Sequence, residues 1–145
     1  MSVVQASIYR LSSTSIIRGI AKLLEAIINK GFKAQVLCLD KFSMYKLDAA
    51  LWTYSSLAFL PHATEEDEFL LQQKILLSTT LENLNDATVL LSNHTVPKSI
   101  QNYQRFVSIY EEMENESLII QQIESLKKLN IPFTVFEENS GSWKK

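Results

Sequence analysis

Glycine is scarce in this chain: Gly19, Gly31 and Gly141 are the three in 145 residues, and none stands in a turn that could cradle a phosphate. Backbone approaches a pyrophosphate closely only where glycine leaves room. A chain without such a run therefore carries neither a dinucleotide fingerprint nor a P-loop. Cysteine occurs once, as Cys38, which excludes an internal disulfide and fits a reducing compartment. His62 and His94 are the only histidines, and neither has a second histidine or cysteine at ligand spacing, so no metal site is expected. Charge of one sign is lacking too. With 14 Lys and Arg against 16 Asp and Glu the net charge is −2, and no global basic field draws the chain to nucleic acid or an anionic membrane. No basic stripe interleaved with aromatics is present, which disfavours direct DNA binding. Apolar runs are short and broken, and the N-terminal stretch, with Gln5 and Ser7 inside it, has no basic n-region and no small-residue cleavage site. A cytoplasmic protein without a membrane span is expected. No Gly-x-Ser-x-Gly elbow or comparable local signature is present, so no catalytic residue and no cofactor are assigned.

What is present is apolar material: 46% of residues are hydrophobic and 21% charged, enough for one core, and a single domain over residues 1–145 is expected. Residues 3–10 (VVQASIYR) are β-branched and aromatic and predict a first strand. Ser12, Ser13 and Thr14 offer N-caps to a helix in which Ile16, Ile17, Ile20, Leu23, Leu24, Ile27 and Ile28 recur at helical spacing until Gly31 ends it. Residues 34–39 (AQVLCL) follow as a strand covered on both faces. Strand, helix and strand make a βαβ unit, and a right-handed crossover is expected to set the two strands side by side. Cys38 lies inside the second strand, where a buried inert thiol is expected.

The second half continues the alternation. Glu65, Glu66, Asp67 and Glu68 are adjacent carboxylates pointing in different directions, a solvated loop in place of a cation site. Residues 73–79 and 87–92 read as strands, residues 98–103 as a short helix after Pro97, residues 106–110 as a strand, and residues 117–129 as a helix with Leu118, Ile119, Ile123, Leu126 and Leu129 inward. Pro132 opens a last strand over residues 133–136, and residues 137–145 read as a flexible tail. The alternation predicts an α/β, Rossmann-like three-layer fold with a mostly parallel sheet, helices on both faces and no glycine-rich phosphate loop. The hydroxyls of Ser12, Ser13, Thr14 and Ser15 are caps or, alternatively, a seat for a nucleotide or small anion.

Residues 45–62 (YKLDAALWTYSSLAFLPH) organise the rest. They predict an amphipathic helix ending near Tyr54, with Leu47, Ala50, Leu51 and Tyr54 on one face, then an apolar connector closed by Pro61 and His62. One buried stripe suffices to pack a helix on its own domain. Trp52, Phe59, Leu60 and Pro61 are left over, either as ordinary core under a loop or as a contact surface for another protein. His62 is expected to make a structural hydrogen bond within the connector.

The same stretch resembles the chi subunit family of bacterial DNA polymerase III, a clamp-loader accessory protein. The resemblance rests on Tyr45, Leu47, Asp48, Ala50, Leu51 and Trp52, on Phe59, Pro61 and His62, and on the spacing between the two groups. Chain length, element order and Trp143 with Lys144 near the C-terminus agree with it. The resemblance implies a Rossmann-like domain without catalytic activity that forms a heterodimer with the psi subunit and joins the clamp loader through psi. It implies a psi-binding surface of Trp52 and Phe59 with Leu60 and Pro61. It also implies binding of the acidic C-terminal tail of single-stranded-DNA-binding protein on the last helix. There the chain departs from the family, having no arginine or tyrosine on residues 117–129. Lys127, Lys128 and Leu126, with Arg105 if its strand end lies near, are the residues left for that role.

Overall fold

The computed structural model describes residues 4–12, 14–54, 60–94, 97, 100, 103–111, 116–139 and 142–144. In chain order these form β1 (Gln5–Leu11), α1 (Ile16–Asn29), β2 (Ala34–Leu37), α2 (Lys41–Tyr54), β3 (Ala63–Thr64), a 3-10 turn (Leu70–Gln72), β4 (Ile75–Ser78), β5 (Val89–Ser92), β6 (Arg105–Glu111), α3 (Glu116–Lys128), β7 (Phe133–Asn139) and β8 (Ser142–Lys144). The sheet runs β3-β4-β2-β5-β6-β1-β7-β8, parallel throughout except that β8 lies antiparallel on β7. This is the expected three-layer, Rossmann-like α/β arrangement. The short helix expected at residues 98–103 falls largely outside the described residues.

Two differences from the sequence expectation concern connectivity. The first two strands are not neighbours, because β5 and β6 pair between them, β6 with β1 and β5 with β2. Local hydrophobic pattern says that a strand is buried on both faces, but not which strands flank it. Nor is the C-terminus a loose tail. Residues 137–139 extend β7, and Ser142–Lys144 return beside them. Their mostly charged and polar composition hid a strand that pairs antiparallel with β7.

Alternation along the strands divides the interior. Val36, Ile75, Leu77, Val89, Leu91, Val107 and Ile109 face α1 and α2. Ala6, Ile8, Leu90 and Phe106 face α3 through Ile119 and Leu126. The expected strip of α1 is buried at Ile20, Leu23 and Leu24. Gly19 is buried with them, and a Cβ there would come within 2.9 Å of both Leu11 and Ile109, so glycine lets the helix sit down on β1 and β6. Gly31, at φ +86°, ends α1 as its position predicted.

Candidate functional site

The turn between β1 and α1 is where this fold class holds phosphate, and there Ser12, Thr14 and Ile16 donate to the chain's own carboxylates. Ser15 caps α1 by accepting from the Arg18 N–H. The Ser12 and Thr14 N–H groups each donate to Glu138 Oε1 at 3.0 Å, and the Thr14 hydroxyl donates to Glu138 Oε2. Glu111 accepts from the Ile16 N–H at 3.1 Å. Two of the chain's own carboxylates thus occupy the amino end of the helix, favourably placed for its dipole. An anion seat at Ser12 and Thr14 would require displacing Glu138, which weighs against the alternative reading of this turn. A cleft of about 450 Å³ lies beside this turn, between α1 and α2, with Ile17, Val36, Cys38 and Leu47 in its walls. Burial pushes the Cys38 thiol up to about 12, which leaves it an inert thiol at neutral pH. Among the described residues no group of three His, Cys, Asp or Glu side chains is placed to hold a metal.

The organising stretch begins earlier than its hydrophobic pattern suggests. Asp40 accepts from the Ser43 N–H at 2.7 Å, an N-cap that starts α2 four residues before Tyr45, and these bonds hold the Asp40 carboxyl below its usual range. Met44 and Leu51 are fully buried and Leu47 packs beside them. Trp52 falls off this stripe and is 49% exposed. Its ring lies 4.4 Å, centroid to centroid, from that of His62. His62 is buried, with Nδ1 2.8 Å from the Leu60 carbonyl oxygen and Nε2 3.2 Å from an Asp48 carboxylate oxygen. It therefore ties the connector to α2 as well as to itself, and it forms the platform on which Trp52 rests.

The remaining residues of the expected surface divide. Pro61 is half-buried. Leu60 is 3% exposed and belongs to the core under α2, so it supports the surface from beneath and offers no contact area of its own. Phe59 lies outside the described residues. The acidic loop is more ordered than a solvated run: Glu65 accepts from the Thr79 N–H and hydroxyl, and Glu66 accepts from the Tyr45 hydroxyl at 2.5 Å and pairs with Lys41 at 3.1 Å. The Tyr45 and Lys41 bonds hold the Glu66 carboxyl below its usual range.

The four residues expected to receive an acidic tail do not form one site. Lys127 and Lys128 are exposed in the last turn of α3. Leu126, one residue earlier, is fully buried against the sheet with Phe106. Arg105 opens β6 on the opposite face, lining a hollow under α1 with Val107 and Lys30. Strand alternation puts the sheet between Arg105 and α3, which removes it from the lysine pair. Sequence reasoning missed Glu138 and Glu111 as caps because they are far in sequence from the helix they serve. It missed Phe42 as part of α2 although Asp40, three residues before Ser43, was the available signal.

Residues 4–121 match the family model of the DNA polymerase III chi subunit, HolC. A relative from Rickettsia prowazekii (strain Madrid E), described as a probable DNA polymerase III subunit chi, is 29% identical over 154 aligned residues, which cover 97% of this chain and 91% of the relative. Among the described residues no helix is long and apolar enough to cross a membrane. By the extent of that family match, the chain belongs to the DNA polymerase III chi subunit family, accessory subunits of the replicative polymerase.

Proposed function

We propose that this chain is a non-catalytic, cytoplasmic subunit that binds the psi subunit through the Trp52 surface and links the clamp loader to the acidic tail of single-stranded-DNA-binding protein. The observation that carries the reading is the placement of Trp52. A large aromatic side chain is half exposed on a buried, hydrogen-bonded histidine, with Pro61 in the adjoining connector. An isolated domain gains nothing by holding an indole in water, whereas a rigid aromatic at the centre of a contact is a common binding hot spot. Phe59 is assigned to the same surface by family resemblance. Lys127 and Lys128 are assigned to the tail. In support, parallel strands put Lys30, Lys33, Lys74, Arg105 and the end of α3 at one end of the sheet, and Asp40, Glu65, Glu66, Glu111 and Glu138 at the other. An acidic peptide is steered toward the first end and repelled by the second.

Titration calorimetry with the co-expressed psi subunit tests the reading. Trp52→Ala is expected to weaken binding by about 2 kcal/mol, roughly thirtyfold in Kd, with unchanged thermal unfolding. A wild-type chain that does not bind psi overturns the proposal. For the tail, Lys127→Glu is expected to weaken a labelled acidic tail peptide in fluorescence anisotropy, and equal affinities would remove that lysine.

A further inference from the structure

The solvent side of α2 carries a second apolar stripe. Phe42, Tyr45, Ala49 and Trp52 follow one another at spacings of three, four and three. At 100° per residue they fall within about 80° of one another, on the side away from Met44, Leu47 and Leu51. All four are exposed, Phe42 to 74%, Tyr45 to 47% and Trp52 to 49%. A surface helix of a self-sufficient domain buries one stripe and turns polar residues outward, as α1 does with Arg18, Lys22 and Asn29. In α2 a second apolar stripe faces outward, flanked by Lys41 and Asp48 on one side and by Lys46 and Thr53 on the other.

From this stripe we infer that α2 is one half of a helix-to-helix contact, and that the partner lays an α-helix with its own three-four apolar repeat along Phe42, Tyr45, Ala49 and Trp52. This rests on the reading of Trp52 as a partner anchor and names what covers it. The alternation of three and four is the spacing that keeps one seam facing a neighbouring helix, each side chain entering a gap on the other. Ala49, small and central, lets two axes approach to about 8–10 Å.

Two of the large residues are already fixed. The Tyr45 hydroxyl donates to Glu66, and the Trp52 ring rests on His62, so less side-chain entropy is lost when a partner arrives. The flanks select the partner's charge. Lys41 pairs with Glu66 and Glu65, at 3.1 and 3.7 Å, while Lys46 forms no ion pair among the described residues. The facing helix therefore carries an acidic side chain opposite Lys46. A second copy of this chain fits less well, since parallel pairing would set Lys41 against Lys46.

The test is titration of the co-expressed psi subunit with Phe42→Ala, Ala49→Glu, Lys46→Glu and, as an off-stripe control, Lys22→Ala. The three substituted side chains on α2 are exposed, so thermal unfolding of the free chain is expected to stay within about a degree or two, which is measured alongside. Phe42→Ala and Ala49→Glu are each expected to raise Kd by about tenfold or more. Lys46→Glu is expected to raise it in a salt-dependent way, and Lys22→Ala to leave it unchanged. If Trp52→Ala weakens psi while Phe42→Ala and Ala49→Glu do not, the helical seam is wrong and the Trp52 surface stands. If the wild type fails to bind psi, both fall. If ultracentrifugation shows a dimer of the free chain that Ala49→Glu abolishes, the second copy is the occupant and the inference is overturned.

Discussion

His94 shows how one side chain couples burial to solution conditions. Its half-buried ring lines the cleft between α1 and α2 with Nε2 2.9 Å from the Leu37 carbonyl oxygen, and its own carbonyl accepts from the buried Gln122 amide. Burial lowers its pKa below the ordinary 6.5, the carbonyl contact opposing this only in part. The folded chain thus resists a proton that the unfolded chain accepts. Stability from this residue is present above about pH 6.5 and is lost as pH falls through and below that value. Urea denaturation at about pH 7.5 and about pH 5.5 is expected to show a larger loss for the wild type than for His94→Gln. A loss of the same size in both would remove His94 as the cause. Surface carboxylates such as Asp40 and Glu66 titrate lower, so they contribute mainly below that window.

At the scale of the element, α1 and α2 are two answers to the same packing problem. The pattern of α1 was legible residue by residue, since one periodic face and a glycine at its end suffice to define it. Its close seat on the sheet was not legible, because nothing in the local pattern says that Leu11 and Ile109 crowd Gly19. Gly19→Ala, normally a gain inside a helix, is expected to cost about 1–3 kcal/mol here by overpacking, read as a lower denaturation midpoint. An unchanged or raised midpoint would mean that Leu11 and Ile109 give way freely. In α2 the start was misplaced at Tyr45, which concealed Phe42 and with it the outer stripe. The exposure of Trp52 and the bond of His62 within the connector were legible. The candidate site was not legible at Leu60, whose apolar character reads the same in a core as on a surface, nor at Arg105, whose face depends on register with β1 and β5.

For the whole molecule, the last strand pair closes the structure. Glu137 pairs with Arg10 at 3.5 Å and Glu138 accepts from Ser12 and Thr14, so β7 is tied to the first strand and to the turn before the first helix. Truncation after Phe136 is expected to lower stability by roughly 2–4 kcal/mol, from a lost cap and lost charge-assisted bonds, as measured by urea unfolding. A truncated chain with the wild-type midpoint would show that the tail is an ornament. By itself the sequence determined the α/β class, the buried face of α1, the absence of a phosphate loop and the family, because each is written in local spacing or in residues a few positions apart. On the last helix Ile119 and Leu126 are buried as expected, whereas Leu129 follows the helix and is 37% exposed. Only the tertiary structure decided which strands are neighbours, that Glu138 accepts from Ser12 and Thr14, that Leu60 turns inward, and that Arg105 and Lys127 stand on opposite sides of the sheet. Those outcomes depend on contacts between segments distant in the chain, and a periodic pattern carries the direction of a side chain relative to its own element but not the identity of what it meets.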